Sequence, residues 1–284
     1  MSPNPETPAQ EQEKPRRFRR RSRRRRFRFK FDLHRAMFVL PNLFTLSSVL
    51  CGLYAILTCL HSTYDTDLSK ACLAIFFGAF FDMADGRVAR LTKTQSEFGV
   101  QLDSLADAVT FGVAPAVLAY SWGLRDLGLP GGLFCFAFLA CGLIRLARFN
   151  VLAANSTEQD PYFLGVPIPL AAGTIISLIW TFIQFDFLRE KTHTVVSAFM
   201  LFLAVLMVSN VRYRNFKKLK ANGQTIGIII ASLAAFLLIA ICIQASVAIF
   251  VSFSAYLILG LIENAIRKNK DLRSQRQELE TDEP

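Results

Sequence analysis

The sequence has little of what a zinc site, a disulfide framework or a histidine-based catalytic site requires. Its three histidines lie in flanks or loops without metal-ligand spacing: His34, His61 and His193. The six cysteines all lie within apolar runs, and no two are spaced as in a CxxC motif. The cysteines are therefore better interpreted as small buried side chains than as disulfides or metal ligands.

Charged residues are also scarce, since they make up 19% of the chain while hydrophobic residues make up 52%. The 284 residues include 26 phenylalanines, and the mean hydropathy is +0.36. This balance excludes an ordinary soluble domain and predicts an all-α integral membrane protein. We find no signal-peptide cleavage pattern, no solenoid-type repeat and no second soluble domain. We therefore expect the first apolar run to remain in the membrane.

Eight apolar stretches approach the length that a membrane-spanning helix needs. They are residues 43–60, 68–89, 105–122, 132–150, 167–187, 194–209, 226–243 and 247–262. Only three residues separate the last two stretches, which are together too long for one span. A tight hairpin is predicted there.

The positive charge is concentrated at the N-terminus, because residues 14–35 hold 13 of the 32 Lys and Arg residues. We divide the chain into a disordered basic segment (1–36), a transmembrane catalytic domain (37–266) and a charged tail (267–284). A nucleic-acid arm is one interpretation of the arginines. Beside a membrane span, however, attraction to anionic lipids is more economical, with residues 27–37 as an interfacial helix and no nucleic-acid partner. The remaining Lys and Arg residues predict that both termini are cytoplasmic.

Four carboxylates lie where one apolar run ends and the next begins: Asp82, Asp85, Asp103 and Asp107. Spacings of three and four residues place each pair on one face of a helix. Acidic groups gathered at a membrane surface repel one another unless cations lie between them. Oxygen-only ligands suit Mg²⁺ or Mn²⁺, with Ca²⁺ as a third candidate. The alternative is a solvated acidic helix end, and the topology places this stretch at the cytoplasmic surface.

The full pattern is Asp82-x₂-Asp85-Gly86-x₂-Ala89-Arg90-x₈-Gly99-x₃-Asp103-x₃-Asp107. It resembles the signature of the CDP-alcohol phosphatidyltransferases at all eight positions. The resemblance implies that six of the spans form a catalytic core holding two divalent ions. It further implies that Asp82, Asp85 and Asp103 bind metal, while Asp107 approaches a metal and acts as the general base.

The resemblance also implies a nucleotide site for the CDP group. Its implied lining residues are Asp82, Gly86, Ala89 and Arg90, with Asn42 and Thr45 of the Pro41-Asn42-x₂-Thr45 element beside them. Small residues let a nucleotide approach the helix backbone, and an arginine suits phosphate. Two simpler interpretations stay open: Pro41 can mark a plain helix start, and Gly99 can serve helix packing.

Further motifs resemble the bacterial membrane-embedded phosphatidylserine synthase branch of the family. They are Ser104-Leu105-Ala106-Asp107-x₂-Thr110-Phe111-Gly112, Arg145-x₂-Arg148-Phe149-Asn150, Phe163-x-Gly165-x-Pro167-x-Pro169 and Met207-x-Ser209. This branch implies CDP-diacylglycerol and L-serine as substrates, a homodimer, and a multi-pass protein of the bacterial inner membrane. A serine site needs a cation and oxygen acceptors, so Arg145, Arg148 and Asn150 are its candidates.

Three other functions remain as alternatives. The same chemistry could use glycerol 3-phosphate, an inositol phosphate or choline as the acceptor. A cation transporter would place its acids at mid-bilayer depth. A membrane prenyltransferase would carry two acidic motifs far apart in sequence, whereas only 17 residues separate Asp85 from Asp103.

Overall fold

The computed structural model describes residues 33–62, 64–94, 96–155, 162–186, 189–214, 236, 240 and 244–281. The α-helices are α1 (Leu33–Leu60), α2 (Asp65–Leu91), α3 (Glu97–Asp107), α4 (Ala114–Trp122), α5 (Leu129–Asn155), α6 (Ile168–Gln184), α7 (Arg189–Val208) and α8 (Ala245–Thr281). A π-helix (Ala108–Val113) joins α3 to α4, and a 3₁₀ turn (Leu124–Leu127) precedes α5. Two short strands, β1 (Tyr162–Leu164) and β2 (Arg212–Arg214), form an antiparallel pair. The predicted all-helical architecture is confirmed, with this small ribbon as an addition.

Helix α1 has its large side chains outside and its small ones inside. Leucines exposed by 44 to 67% recur every three or four residues. They are Leu40, Leu43, Leu46, Leu50, Leu53, Leu57 and Leu60. The buried positions recur at the same interval and are Pro41, Thr45, Ser48, Gly52, Ala55 and Cys59. Small residues at contacts and leucines on the outer face are the pattern of a membrane helix.

Helix α6 lies at the centre of the bundle. Its residues 171–179 are all buried, so every face of the helix is covered by neighbouring chain. Helices α2, α4, α5, α7 and α8 all contact it. A short helix that is apolar all round is expected at such a position.

Four helical segments are long and apolar enough to cross a membrane in the part of the chain that is described. They are Val39–Leu60, Glu97–Trp122, Leu129–Ala153 and Ala245–Arg267, and the shorter apolar helices are Ile168–Gln184 and Thr192–Val208. These segments make the chain a multi-pass membrane protein. The predicted span 226–243 lies outside the described residues apart from two isolated positions. The count of eight therefore remains a prediction.

Two predicted helix ends differ from the structure. Pro41 does not start α1, which begins two turns earlier at Leu33. A proline inside a helix removes one backbone hydrogen bond, which the remaining turns of this long helix accommodate. At the other end, α8 continues through most of the predicted charged tail to Thr281. The arginine-rich residues 16–30 lie outside the described part.

The π-helix that follows Asp107 is fixed against α1 and α2 by one side chain. The Thr110 hydroxyl donates to the Ser48 carbonyl (3.1 Å) and accepts from the Ser48 hydroxyl (3.4 Å). A Cβ atom on Gly52 would come within 2.9 Å of the Thr110 Cα, and one on Gly78 within 2.7 Å of its Cγ2. The absence of side chains at these glycines therefore admits Thr110 between the two helices.

The β1–β2 ribbon brings two of the branch motifs together, those that contain Gly165 and Met207. Gly165 has a φ of +75°, and a side chain there would collide with the Met207 carbonyl oxygen. Its N–H donates to the Val211 carbonyl (2.9 Å), while the Val166 N–H donates to that of Leu206 (3.3 Å). Glycine is therefore required at this position for both its conformation and its lack of bulk.

Candidate active site

Three of the four aspartates converge where the end of α2 meets α3. Asp82 and Asp85 lie on α2, and Asp103 lies on α3. One carboxylate oxygen from each lies within 4.8 Å of the others. The turn between the helices brings them together: Lys93 takes a left-handed conformation with φ of 55°, and Ser96 caps α3 by accepting a hydrogen bond from the Gly99 N–H (3.0 Å).

Asp107 lies one turn beyond Asp103 and joins the same cluster. Its carboxyl group lies close enough to those of Asp82 and Asp103, and to the Arg145 guanidinium, for their charges to interact. Its Oδ1 atom is buried and has no hydrogen-bond partner in the described part of the chain. Carboxyl groups gathered this closely require a proton or a cation between them.

The cluster fits a hard divalent cation. Its donors are carboxylate oxygens, the ligand type that Mg²⁺, Mn²⁺ and Ca²⁺ prefer. An unpartnered buried oxygen on Asp107 is the kind of atom that a bound ion would satisfy. Because Asp85 is 5% exposed, its charge needs such compensation.

Thr45 is bonded to the acidic cluster. Its hydroxyl donates to Oδ2 of Asp85 at 2.6 Å, and both side chains are buried. The resemblance implied a nucleotide contact for Thr45, whereas the structure shows a carboxylate as its partner. Asn42, one turn earlier on α1, is half-buried and lies beside α3, since its Oδ1 is 3.8 Å from where a Gly99 side chain would begin.

The remaining residues predicted to bind nucleotide line the outer face of α2. Gly86 and Arg90 are exposed, and Ala89 is half-buried. A Cβ atom at Gly86 would meet nothing within 4 Å. Packing within the described residues therefore gives no reason for a glycine at position 86, and the space over it is open. The nucleotide-binding role of Gly86, Ala89 and Arg90 stays a prediction.

Arg145 is the predicted serine-site residue that reaches the cluster. It lies on α5, is 9% exposed, and interacts electrostatically with Asp107. Its guanidinium lies over the Phe149 ring, 5.5 Å from the centroid. Its Nε has no hydrogen-bond partner in the part of the chain that is described. A buried cation with an unused donor beside an acid can bind an anionic group.

The other two predicted serine ligands are bonded to protein groups. Arg148 donates to the Val208 carbonyl (3.3 Å) and to Oδ1 of Asn210 (2.7 Å), so it joins α5 to the end of α7. The Asn150 amide donates to the Ser104 hydroxyl at 2.9 Å. That bond joins α5 to α3 between Asp103 and Asp107.

Sequence reasoning missed three of these contacts. The Thr45–Asp85, Ser104–Asn150 and Ser48–Thr110 bonds join residues 40, 46 and 62 positions apart. Local spacing carries no signal for such pairs. The one available hint was chemical, because polar residues inside apolar helices near an ionic site need hydrogen-bond partners.

Comparison with known proteins agrees with this geometry. Residues 38–252 match the family model described as CDP-alcohol phosphatidyltransferase. A Helicobacter pylori protein named CDP-diacylglycerol–serine O-phosphatidyltransferase is 38% identical over 227 residues, covering 80% of this chain and 91% of that protein. A Bacillus subtilis protein of the same name is 36% identical over 187 residues, covering 66% and 96%. The archaetidylserine synthase of Methanothermobacter thermautotrophicus is 35% identical over 180 residues, covering 63% and 70%. The chain therefore belongs to the CDP-alcohol phosphatidyltransferase family.

Proposed function

We propose that this protein transfers the phosphatidyl group of CDP-diacylglycerol to the hydroxyl of L-serine, forming phosphatidylserine and CMP. The observation that carries the proposal is the convergence of Asp82, Asp85 and Asp103 within 4.8 Å, in the family's own signature. Relatives named for serine transfer cover most of the chain and support serine as the acceptor.

The four aspartates would hold two divalent cations, Mg²⁺ or Mn²⁺. Asp82, Asp85 and Asp103 supply the gathered oxygens, and the buried Oδ1 of Asp107 is a fourth donor. When bound, the ions supply positive charge to the diphosphate and to the departing CMP. The nucleotide would lie in the open space over Gly86, between Ala89, Arg90 and the Asn42 side of α1.

Asp107 would act as the general base. The serine hydroxyl is a weak nucleophile until a neighbouring group accepts its proton. The hydroxyl oxygen forms a bond to the phosphatidyl phosphorus, and the bond from that phosphorus to the CMP oxygen breaks. CMP leaves with the electron pair, and the serine proton passes to Asp107. Asp107 must be ionised to accept it, and a divalent cation held beside it would favour that form.

Arg145 is the residue we propose for the serine carboxylate. Its position beside Asp107 would place the two ends of serine, carboxylate and hydroxyl, against one cation and one base. Arg148 and Asn150 would then act indirectly, since each already bonds to another helix or its end. Ser104 and Asn150 hold α3 and α5 together along the wall of this pocket.

An acceptor panel tests the function. Full-length protein in detergent is supplied with CDP-diacylglycerol, Mn²⁺ or Mg²⁺, and one alcohol at a time. CMP should appear with L-serine and stay at background with glycerol 3-phosphate, inositol phosphate or choline. Release with one of those acceptors instead would retain the phosphatidyl transfer but reject serine. Metal flux into liposomes without CMP release would point to a transporter.

We further propose that the protein lies in a bacterial inner membrane as a homodimer, with both termini and the site cytoplasmic. The basic N-terminal segment 1–36 would bind anionic lipids, and residues 37–266 would form the catalytic domain.

Labelling of cysteines introduced near each terminus in intact cells tests the orientation. Crosslinking tests the dimer, and vesicle binding with and without phosphatidylglycerol tests the basic segment. Labelling of a terminus from outside the cell would reject the cytoplasmic orientation. Detection of monomers alone would reject the homodimer. Equal binding to vesicles with and without phosphatidylglycerol would reject anionic-lipid binding by the basic segment.

A further inference from the structure

The hydroxyl of Thr45 has two acceptors, and they are unequal. Oδ2 of Asp85 lies at 2.6 Å, whereas the Pro41 carbonyl lies at 3.2 Å. A hydroxyl has one proton, and it is better placed on a nearby carboxylate than on a more distant neutral carbonyl. The donor group of Thr45 is therefore used by Asp85.

Burial makes this bond consequential. Thr45 is 4% exposed and Asp85 5%, so neither side chain can exchange its partner for water. Asp85 is one of the three acids whose oxygens gather within 4.8 Å. Without a fixed partner, its carboxylate could rotate about its terminal torsion, which has only broad preferences. The hydrogen bond that Thr45 of α1 donates at 2.6 Å removes that rotational freedom.

We propose that Thr45 is a positioning residue of the metal centre, which holds the Asp85 carboxylate in its metal-binding orientation and is not itself a nucleotide ligand. The inference rests on the metal centre of the proposed function. Partners that orient a metal ligand contribute strongly to affinity, and their loss costs about 10- to 100-fold in metal binding or activity. Thr45 thus couples α1 to the acids of α2 and α3.

The chain offers matched variants for the test. Thr45→Val keeps the side chain's shape and removes the donor, whereas Thr45→Ser keeps the donor and removes a methyl group. Ser47→Ala is the control, because the Ser47 hydroxyl donates to the Leu43 carbonyl within its own helix (2.8 Å). Should Thr45→Val fail to fold, Thr45→Ala removes the same donor without placing a methyl group against the carboxylate.

The measurement is Mn²⁺ binding to the purified full-length protein, followed by electron paramagnetic resonance without nucleotide or serine. We expect Thr45→Val to raise the Kd for Mn²⁺ by about 10- to 100-fold. Thr45→Ser and Ser47→Ala should bind as the wild type does. In turnover assays, the loss in Thr45→Val should be recovered at high Mn²⁺ concentration, with the KM for CDP-diacylglycerol unchanged.

Two results would overturn the inference and are distinguishable from each other. Unchanged Mn²⁺ affinity in a folded Thr45→Val, with a raised KM for CDP-diacylglycerol, would make the hydroxyl a nucleotide contact. Absence of Mn²⁺ and Mg²⁺ binding in the wild type would reject the metal centre itself, and with it the role of Thr45. A thermal unfolding curve for each variant separates either result from misfolding.

Discussion

Asp107 differs from the other three acids in its surroundings. It is the acid beside a buried arginine, and it lies deepest along α3 from the loop between α2 and α3. Its neighbour on the α5 side is Arg145, whereas Asp85 faces Thr45 of α1. The side of the cluster next to α1 is thus suited to metal and diphosphate. The side next to α5 is suited to an amino-acid acceptor.

This division predicts the effect of neutralising Asp107. Asp107→Asn keeps the shape of the side chain but cannot accept the serine proton, so serine-dependent CMP release should fall by about 10²- to 10⁴-fold. Asp67→Asn is the control, because Asp67 pairs with Lys70 (2.9 Å) near the opposite end of α2. Unchanged turnover in folded Asp107→Asn would reject the base assignment.

Because the space over Gly86 is open, we expect a substitution there to impair substrate binding without lowering the stability of the fold. Gly86→Ala meets no atom within 4 Å and adds a better helix former, so stability should hold or rise by up to about 1 kcal/mol. The KM for CDP-diacylglycerol should nevertheless increase, because the methyl group enters the proposed nucleotide space. Gly132→Ala, also without a neighbour within 4 Å, should leave KM unchanged. Equal KM values for both variants would place the nucleotide elsewhere.

Substitutions of Arg145 and Arg148 should have different effects, the first on serine binding and the second on stability. Arg145→Gln should raise the KM for serine by about 10- to 100-fold, as expected for the loss of a charged hydrogen-bond pair. The KM for CDP-diacylglycerol should stay near the wild-type value. Arg148→Gln should instead lower the unfolding temperature, because its guanidinium joins α5 to Asn210. A serine KM that responds to Arg148 alone would reverse these roles.

At the scale of elements, the π-helix after Asp107 fixes how α3 continues into α4. π-Turns inside helices often occur at functional sites. Here Thr110 packs between Gly52 of α1 and Gly78 of α2, and its hydroxyl donates a hydrogen bond to the Ser48 carbonyl. The contact fixes α3, and therefore Asp107, against both α1 and α2.

A double-mutant cycle tests that contact. Gly78→Ala places a Cβ 2.7 Å from the Thr110 Cγ2, so it should cost about 1–3 kcal/mol of stability. Thr110→Ser removes this methyl group and retains the hydroxyl, so Gly78→Ala should cost much less in that background. Denaturation in detergent measures both costs, with Gly132→Ala as the control. Equal costs in the two backgrounds would show that Gly78 does not act through Thr110.

The helices were largely predictable because apolar runs of spanning length are a strong local signal. The carboxylate spacings likewise placed each acidic pair on one helix face. Pro41 lies inside α1, so the open interpretation that it marks a helix start is wrong, because the apolar residues before it continue the helix. The partners of Thr45, Arg148 and Asn150 were not predictable, since each lies 40 or more residues away.

At the scale of the whole molecule, the bundle separates a lipid-facing exterior from an ionic site. Leucines cover the outer face of α1, while the acids, Arg145 and Thr45 face inward between α1, α2, α3 and α5. Such an arrangement lets a lipid remain in the bilayer while its diphosphate reaches the acids. Water-soluble serine would approach from the side where α2 and α3 join.

The most direct measurement follows the oxygen atom of the serine hydroxyl. Serine labelled with ¹⁸O in its side chain is supplied with CDP-diacylglycerol, and the lipid product and CMP are analysed by mass spectrometry. The account predicts that the product carries the heavy oxygen in its phosphodiester bridge, while CMP carries none. A labelled CMP, or CMP formed without any serine-containing lipid, would contradict transfer of the phosphatidyl group to serine.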